Sequence, residues 1–353
     1  MKNMTLKEFL DSWHDGGATI RVKTSGSTGV PKEMEVEKKR MLASARVTCN
    51  FLGLRQGDTA LLCMSLDYIA GKMMVVRSIE HGLRLMTVEP SGHPMKGLTE
   101  AADLVAMVPM QVYNTLQVES ERRLLMQSKH LLIGGGAIDK ELEAALRDFP
   151  NAVWSTYGMT ETLSHIALRR INGKEASPWY MPFDTVEVRQ NADGCLVIDA
   201  PGICSETLTT NDIVEMHADG RRFRIVGRKD NVICSGGVKI QIEEVEARLK
   251  GHVDVPFVVT KCRDEKFGEA VVMLYEGGEQ SFATTVAGGN GNGADRCSLR
   301  RVAERVLPRY WQPKYYFAVD CLPLTGTGKP ARKQAELLAE SARLNVGEDA
   351  AAH

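Results

Sequence analysis

Between Thr59 and Trp154 short apolar runs alternate with amphipathic stretches: TALLCMSL, GKMMVVRSIEHG, LRLMTVE, LVAMVP, HLLIGG and DKELEAALRDF. Such alternation predicts a mostly parallel sheet covered by helices, with ligands bound beyond the carboxyl ends of the strands. The loops that follow strands are therefore the places to look for a site. Farther on, TVEVRQ, GCLVIDA, DIVEM and RRFRIV are separated by the turn residues Asn191, Asp193, Gly194, Asp219 and Gly220, a pattern that predicts antiparallel strands. After Gly227 the pattern changes again. A glycine-containing loop, a charged helix over 242–250, the runs VPFVVT and AVVMLYE, and a helical stretch from Ala331 predict a second, smaller α+β domain. Within it, GGNGNGAD in 277–295 offers nothing to bury and reads as a flexible surface loop.

The expected fold class is thus α/β: a large N-terminal domain of helix-flanked β-sheets over 1–228 and a small, mobile α+β domain over 229–353. A chain of 353 residues is longer than one hydrophobic core usually serves. Hydrophobic residues at 43% and charged residues at 25% exclude a disordered or fibrous chain. With 44 basic and 45 acidic residues the formal net charge is -1, so no overall field draws nucleic acid or an anionic membrane. Anionic ligands must be met locally. The eight cysteines form no C-x-x-C pair and no zinc-ligand spacing, and they read as reduced, mostly packed thiols. Met1 to Leu10 has no apolar core, and no stretch approaches the roughly 18 apolar residues of a membrane span, so the cytoplasm is the expected compartment.

The chemistry concentrates in a few segments. TSGSTGVPK, from Thr24 to Lys32, combines hydroxyl side chains, two glycines and a lysine. Glycines let backbone N–H groups approach an anion, hydroxyls donate further bonds and the lysine adds a charge, which together suit a phosphate. The spacing is not that of G-x-x-x-x-G-K-[ST], so a P-loop NTPase is disfavoured. YGMTE, Tyr157 to Glu161, offers an aromatic face, a hydroxyl and a carboxylate suited to a hard cation. GRKD, Gly227 to Asp230, continues to the Ser235-Gly236-Gly237 loop, and PLTGTGK, Pro323 to Lys329, sets a lysine among glycines.

These four motifs, in this order, resemble the adenylate-forming superfamily of acyl-CoA synthetases, peptide-synthetase adenylation domains and luciferases. The resemblance runs from Thr24 almost to the C-terminus. It implies that Thr24, Ser25, Gly26, Ser27, Thr28, Gly29 and Lys32 hold the phosphates of ATP. Tyr157 would stack on adenine, with Gly158 and Met159 beside it, Thr160 would contact a phosphate and Glu161 would hold Mg2+. Gly134, Gly135, Gly136 and Ala137 match the segment lining both the acyl and adenine pockets. Asp212 and Arg228 would bind the ribose, although the usual Thr-Gly-Asp is Thr-Asn-Asp here. Asp230 would be the hinge of the small domain, Gly236 and Gly237 would line the coenzyme A tunnel, and Lys329 would be the adenylation lysine. For Arg228 and Asp230, a surface ion pair is the alternative.

The segment from Tyr68 to Arg77, YIAGKMMVVR, resembles one bordering the acyl pocket of o-succinylbenzoate–CoA ligases of menaquinone synthesis. Tyr68 stands where a histidine is often found. Tyr68, Gly71, Lys72 and Arg77 would then face the acid, the two bases meeting a second carboxylate; an amphipathic helix with two solvated basic residues is the alternative. Most superfamily members carry well over a hundred residues before the phosphate loop, so a shortened N-terminal domain is implied, with a homodimer or a rearranged core covering the exposed face. The implied activity is an ATP-dependent acid–CoA ligase that forms an acyl-adenylate and then a thioester. Loading of a carrier protein, or a catalytically silent binding protein of this fold, are the other readings.

Overall fold

The computed structural model describes residues 4–23, 33–277, 296–325 and 329–351. The chain divides into two compact units, one running to Thr210 with Val214–Ile225, the other taking Asn211–Ile213 and the chain from Val226.

The first unit opens with α1 (Leu6–Trp13), started by a capping box in which Thr5 and Glu8 bond each other's backbone N–H, and anchored by buried Phe9 and Trp13. The hairpin of β1 (Thr19–Lys23) and β2 (Glu33–Glu37) follows, closed by the pairing of Lys23 with Glu33. The phosphate-loop candidates of 24–32 join these strands and lie outside the described residues. Helix α2 (Lys38–Leu52) ends at Gly53 in the left-handed conformation, which lets the last carbonyls bond back to Gly53 and Leu54.

Strands β3 (Thr59–Leu62), β4 (Arg84–Thr87), β5 (Leu104–Met107), β6 (His130–Ile133) and β7 (Ala152–Gly158) pair in parallel in the order β4-β3-β5-β6-β7. Antiparallel β8 (His165–Arg170) and β9 (Met181–Pro182) complete seven strands. Helices α3 (Ile69–His81), α4 (Pro109–Gln117), α5 (Glu119–Met126) and α6 (Lys140–Leu146) form the crossovers. TALL and LVAM are buried at every position because both faces of the sheet are covered. Ala60, Leu62 and Leu104 enter a core with Phe9, Met41 and Met73, whereas Leu61, Val105 and Leu131 enter a second with Leu142 and Leu146. That split is the period-two alternation of a strand.

Strands β10 (Glu187–Gln190), β11 (Cys195–Asp199), β12 (Leu208–Met216) and β13 (Phe223–Arg228) form a four-stranded sheet in sequential order. In the second unit β14 (Val232–Ser235) and β15 (Val238–Gln241) form a hairpin, and α7 (Ile242–Leu249) follows. Strands β16 (Phe257–Asp264) and β17 (Gly268–Glu276) pair antiparallel along their length. Helix α8 (Arg296–Val306) packs against α7, β18 (Tyr315–Val319) adds to β17 in parallel, and α9 (Arg332–Ala351) lies on β16. The expected glycine-rich loop is, from 278 to 295, outside the described residues. Five of the eight cysteines are buried, and all are free thiols. Among the described residues no helix is long and apolar enough to cross a membrane.

Candidate active site

Three expected segments leave carboxyl ends of strands in the seven-stranded sheet: the β3–α3 loop ending at Tyr68, the residues 134–137 after β6, and the residues 157–161 running out of β7. Gly134 is half-buried, while Gly135, Gly136 and Ala137 are exposed where a ligand can reach their backbone. Gly158 is demanded by a close approach, since a Cβ there would lie 2.2 Å from the carbonyl oxygen of Ser164 on the returning chain. Beyond it, the Met159 N–H donates to Thr162 Oγ1 at 2.9 Å, and Thr160, buried itself, accepts from the Leu163 N–H at 2.9 Å. Glu161 is exposed, and its side chain has no ion-pair partner among the described residues.

Tyr157 departs from the open aromatic platform that the sequence suggests. Its ring is 7% exposed and packs against Phe223 at 5.1 Å and Tyr180 at 5.9 Å, leaving little face for a purine in this conformation. Leu163 is the residue that sequence reasoning missed altogether. It is the only described non-glycine with a positive φ, +63°, a conformation that costs an L-residue roughly 1–2 kcal/mol. Strain of this sort persists where the surrounding structure imposes it, often at functional sites.

On α3, Tyr68 is the N-cap and partly exposed, and Gly71 sits in the first turn against the carbonyl of Ser65. Lys72 and Arg77 are both buried, which overturns the alternative of two solvated bases. Lys72 is also not the open charge expected for an acid. Its ammonium donates to Leu66 O at 2.5 Å and lies under the Phe9 ring at 5.6 Å, and burial lowers its pKa. Arg77 differs. Its Nη2 donates to Ser164 Oγ at 2.5 Å, its Nε is buried without a partner, and no carboxylate pairs with it among the described residues. Burial pushes its pKa down to about 10.

In the second unit Asp212, Arg228, Asp230 and Lys329 form one electrostatic group. Arg228 grips Asp230 with Nε and Nη2 at 2.9 and 3.0 Å and reaches Asp212 with Nη1 at 3.1 Å. The ion pair given as the alternative for Arg228 and Asp230 is therefore present. The bond to Asp230, foremost, raises the Arg228 pKa. Lys329 sits in a loop closed by the Leu324–Pro330 bridge and by the Thr325 N–H donating to Lys329 O at 2.7 Å. Burial lowers its pKa, the Arg228 charge lowers it further and Asp212 opposes both. Gly326 to Gly328 lie outside the described residues. Gly236 and Gly237, with φ of +57° and +83°, make the two-residue turn between β14 and β15, a turn that requires positive φ at both positions.

A family model for AMP-binding enzymes matches residues 23–202, about half of the chain. The chain belongs to the AMP-binding enzyme family. A solved acyl-CoA synthetase (AMP-forming)/AMP-acid ligase II-like protein from Dyadobacter fermentans is 31% identical with a TM-score of 0.61, each chain covered to 96%. The 2-succinylbenzoate–CoA ligase of Bacillus cereus is 26% identical over 350 residues, spanning 90% of this chain and 70% of that protein. The o-succinylbenzoate coenzyme A synthetase of Bacillus subtilis, solved with ATP and magnesium, is 22% identical with a TM-score of 0.69 over 89% of this chain and 69% of its own, a likeness of fold alone. This AMP-binding enzyme thus carries the family's α/β architecture, with these loops at the carboxyl ends of strands, where the sequence pattern directed the search.

Proposed function

We propose that this AMP-binding enzyme is an ATP-dependent acid–CoA ligase acting on o-succinylbenzoate. The observation that carries the ligase reading is Lys329, whose partly desolvated ammonium lies within the electrostatic reach of Arg228 and Asp212. A cation withdrawn from water acts more strongly on developing charge than a solvated one. Asp212 and Arg228 hold the ribose, residues 135–137 flank the adenine, joined by Tyr157 once its ring leaves Phe223 and Tyr180, and residues 24–32 bind the phosphates. A carboxylate oxygen of the acid forms a bond to the α-phosphorus as the bond to pyrophosphate breaks, with Thr160 and Lys329 placed on the phosphate. Coenzyme A, guided past Gly236 and Gly237, then displaces AMP through its thiolate, after the second unit has turned about Asp230. Glu161, an exposed carboxylate with no ion-pair partner among the described residues, fits a hard cation; Mg2+ there would neutralise phosphate charge.

The acid is assigned from Arg77. A buried guanidinium without a carboxylate, bonded to Ser164 three residues beyond Glu161, is a partner for a substrate carboxylate. The relative in Bacillus cereus named for 2-succinylbenzoate supports that choice. ATP–pyrophosphate exchange over a panel of aryl and aliphatic acids, with mass analysis of the product formed from free coenzyme A, tests the reading. Exchange with o-succinylbenzoate and formation of its CoA thioester are expected. Exchange with no acid, or an adenylate that free coenzyme A does not discharge, would overturn it.

A further inference from the structure

The buried surroundings of Arg77 contain a hydrogen-bond chain whose direction is fixed by donor counting. Thr48 Oγ1 lies 3.1 Å from Ser44 O, which accepts its single proton. Thr48 Oγ1 also lies 3.1 Å from His165 Nε2, so at that contact the hydroxyl oxygen accepts and Nε2 carries the proton. A neutral imidazole protonated at Nε2 presents Nδ1 as an acceptor. Ser164 Oγ is 3.3 Å from that Nδ1 and donates to it. The Ser164 oxygen then has its lone pairs left for Arg77, whose Nη2 donates at 2.5 Å. The order is Arg77 to Ser164 to His165 to Thr48 to Ser44, and no member can reverse without leaving two donors or two acceptors face to face.

The chain spans elements far apart in sequence: α2 supplies Ser44 and Thr48, α3 supplies Arg77, and Ser164 and His165 enter β8 directly after the left-handed Leu163. His165 is 8% exposed and packs on Phe183 at 5.7 Å. Burial, and then the Arg77 charge, hold its pKa well below the usual imidazole value.

We propose that Ser164 and His165, oriented by Thr48, are positioning residues that fix the Arg77 guanidinium through Nη2 and leave its buried Nε unpaired, so that they set the enzyme's preference for a doubly charged acid. The role rests on the assignment of Arg77 to the acid given above. Without Ser164 the guanidinium loses the bond that fixes its plane. A bidentate or edge-on contact depends on that plane, so its loss shows in acid binding rather than in the chemical step.

The test pairs a direct with a kinetic readout. Protein carrying 15N-labelled histidine is examined by long-range 15N–1H correlation, the His165 signals being assigned by their disappearance in His165→Gln. A neutral, Nε2-protonated ring is expected in the wild type, whichever acid the enzyme uses; a charged or Nδ1-protonated ring would overturn the chain. Initial rates are then measured for Ser164→Ala and Ser164→Thr with o-succinylbenzoate and with 4-phenyl-4-oxobutanoate, which lacks the ring carboxylate. Ser164→Ala raises KM for o-succinylbenzoate about tenfold, the scale of one hydrogen bond to a charged group, with kcat, the KM for ATP and the KM for the singly charged analogue retained. Ser164→Thr, which keeps the hydroxyl, restores the wild-type value. Equal losses on both acids, or no rescue by threonine, would reduce Ser164 to a structural residue. A wild type indifferent to the ring carboxylate, with the expected tautomer present, would instead refute the acid assignment.

Discussion

Arg77 and Arg228 are the same side chain used in opposite ways. Arg228 is about a third exposed, gripped by Asp212 and Asp230, and its charge is matched within its own unit. Arg77 is buried, pairs with no carboxylate among the described residues and bonds one serine oxygen through Nη2. Taking a charge out of water is costly unless a partner is supplied. A satisfied arginine therefore stabilises its own surroundings, whereas an unsatisfied buried one stores free energy that an incoming anion releases. The first arrangement suits a group that shapes a site. The second suits a group that selects a ligand.

The largest effect is expected beside Arg228. Lys329→Ala lowers adenylation by about a hundred- to a thousandfold, the scale of removing one donor from a transition-state anion, and largely spares thioester formation from a premade acyl-adenylate. Pyrophosphate release and acyl-CoA formation, followed separately, check this; equal loss of both would remove the special role of the lysine. In the same unit, Gly237→Leu cuts acyl-CoA output by about tenfold or more while pyrophosphate release survives. Because Gly237 has a φ of +83° but open space around a Cβ, Gly237→Asn, which tolerates that conformation, separates strain from obstruction. An unchanged acyl-CoA output in the leucine variant would end the tunnel assignment.

The two arginines should also part in stability. Arg228→Met leaves two carboxylates without their shared cation and costs about 1 kcal/mol, discounted for exposure, whereas Arg77→Met abandons no carboxylate and leaves thermal stability unchanged or slightly higher. Thermal and denaturant unfolding of both variants decide the matter, and a larger loss for Arg77→Met would contradict the contrast.

Acid separates the units in another way. The pKa of His165 is lowered in the fold, so its contribution is present above the unfolded value near about 6.5 and is lost as pH falls below it, by at most about 1.4 kcal/mol per pH unit. In the second unit, burial works against the Asp264 carboxylate, but the bonds from Lys314 and the Phe267 N–H outweigh it and hold the pKa down to about 2. Its contribution is present above the unfolded value near about 4 and disappears as pH falls from there through 2. Unfolding followed by hydrogen exchange should show the first unit weakening between about pH 6.5 and 5 while the second holds until about pH 4. His165→Gln should reduce the first slope, to which His130, its pKa also lowered by burial, contributes as well, and Asp264→Asn should flatten the second.

Much of this was legible in the sequence because the signals are local. Runs such as TALL and LVAM announce buried parallel strands, and Gly236-Gly237 between two strand-like runs announces a tight turn. Helix α1 carried a readable signal in Thr5, Glu8, Phe9 and Trp13 that composition alone concealed. Strand β18 could not be read, since its parallel partner β17 is separated from it by residues 278–295 and α8. The roles of Ser164 and His165 were equally hidden. They depend on Thr48 and Arg77, 117 and 87 residues away from them respectively, and on the conformation of Leu163, for which sequence gives no signal.

The central claim is that the buried charge of Arg77 selects an acid with a second carboxylate. The most direct measurement is kcat/KM for o-succinylbenzoate against 4-phenyl-4-oxobutanoate in the wild type and in Arg77→Met. A wild-type preference of about ten- to a hundredfold for the doubly charged acid is expected, collapsing towards unity in the variant. A wild type indifferent to the ring carboxylate, or a variant that keeps the full preference, would contradict it.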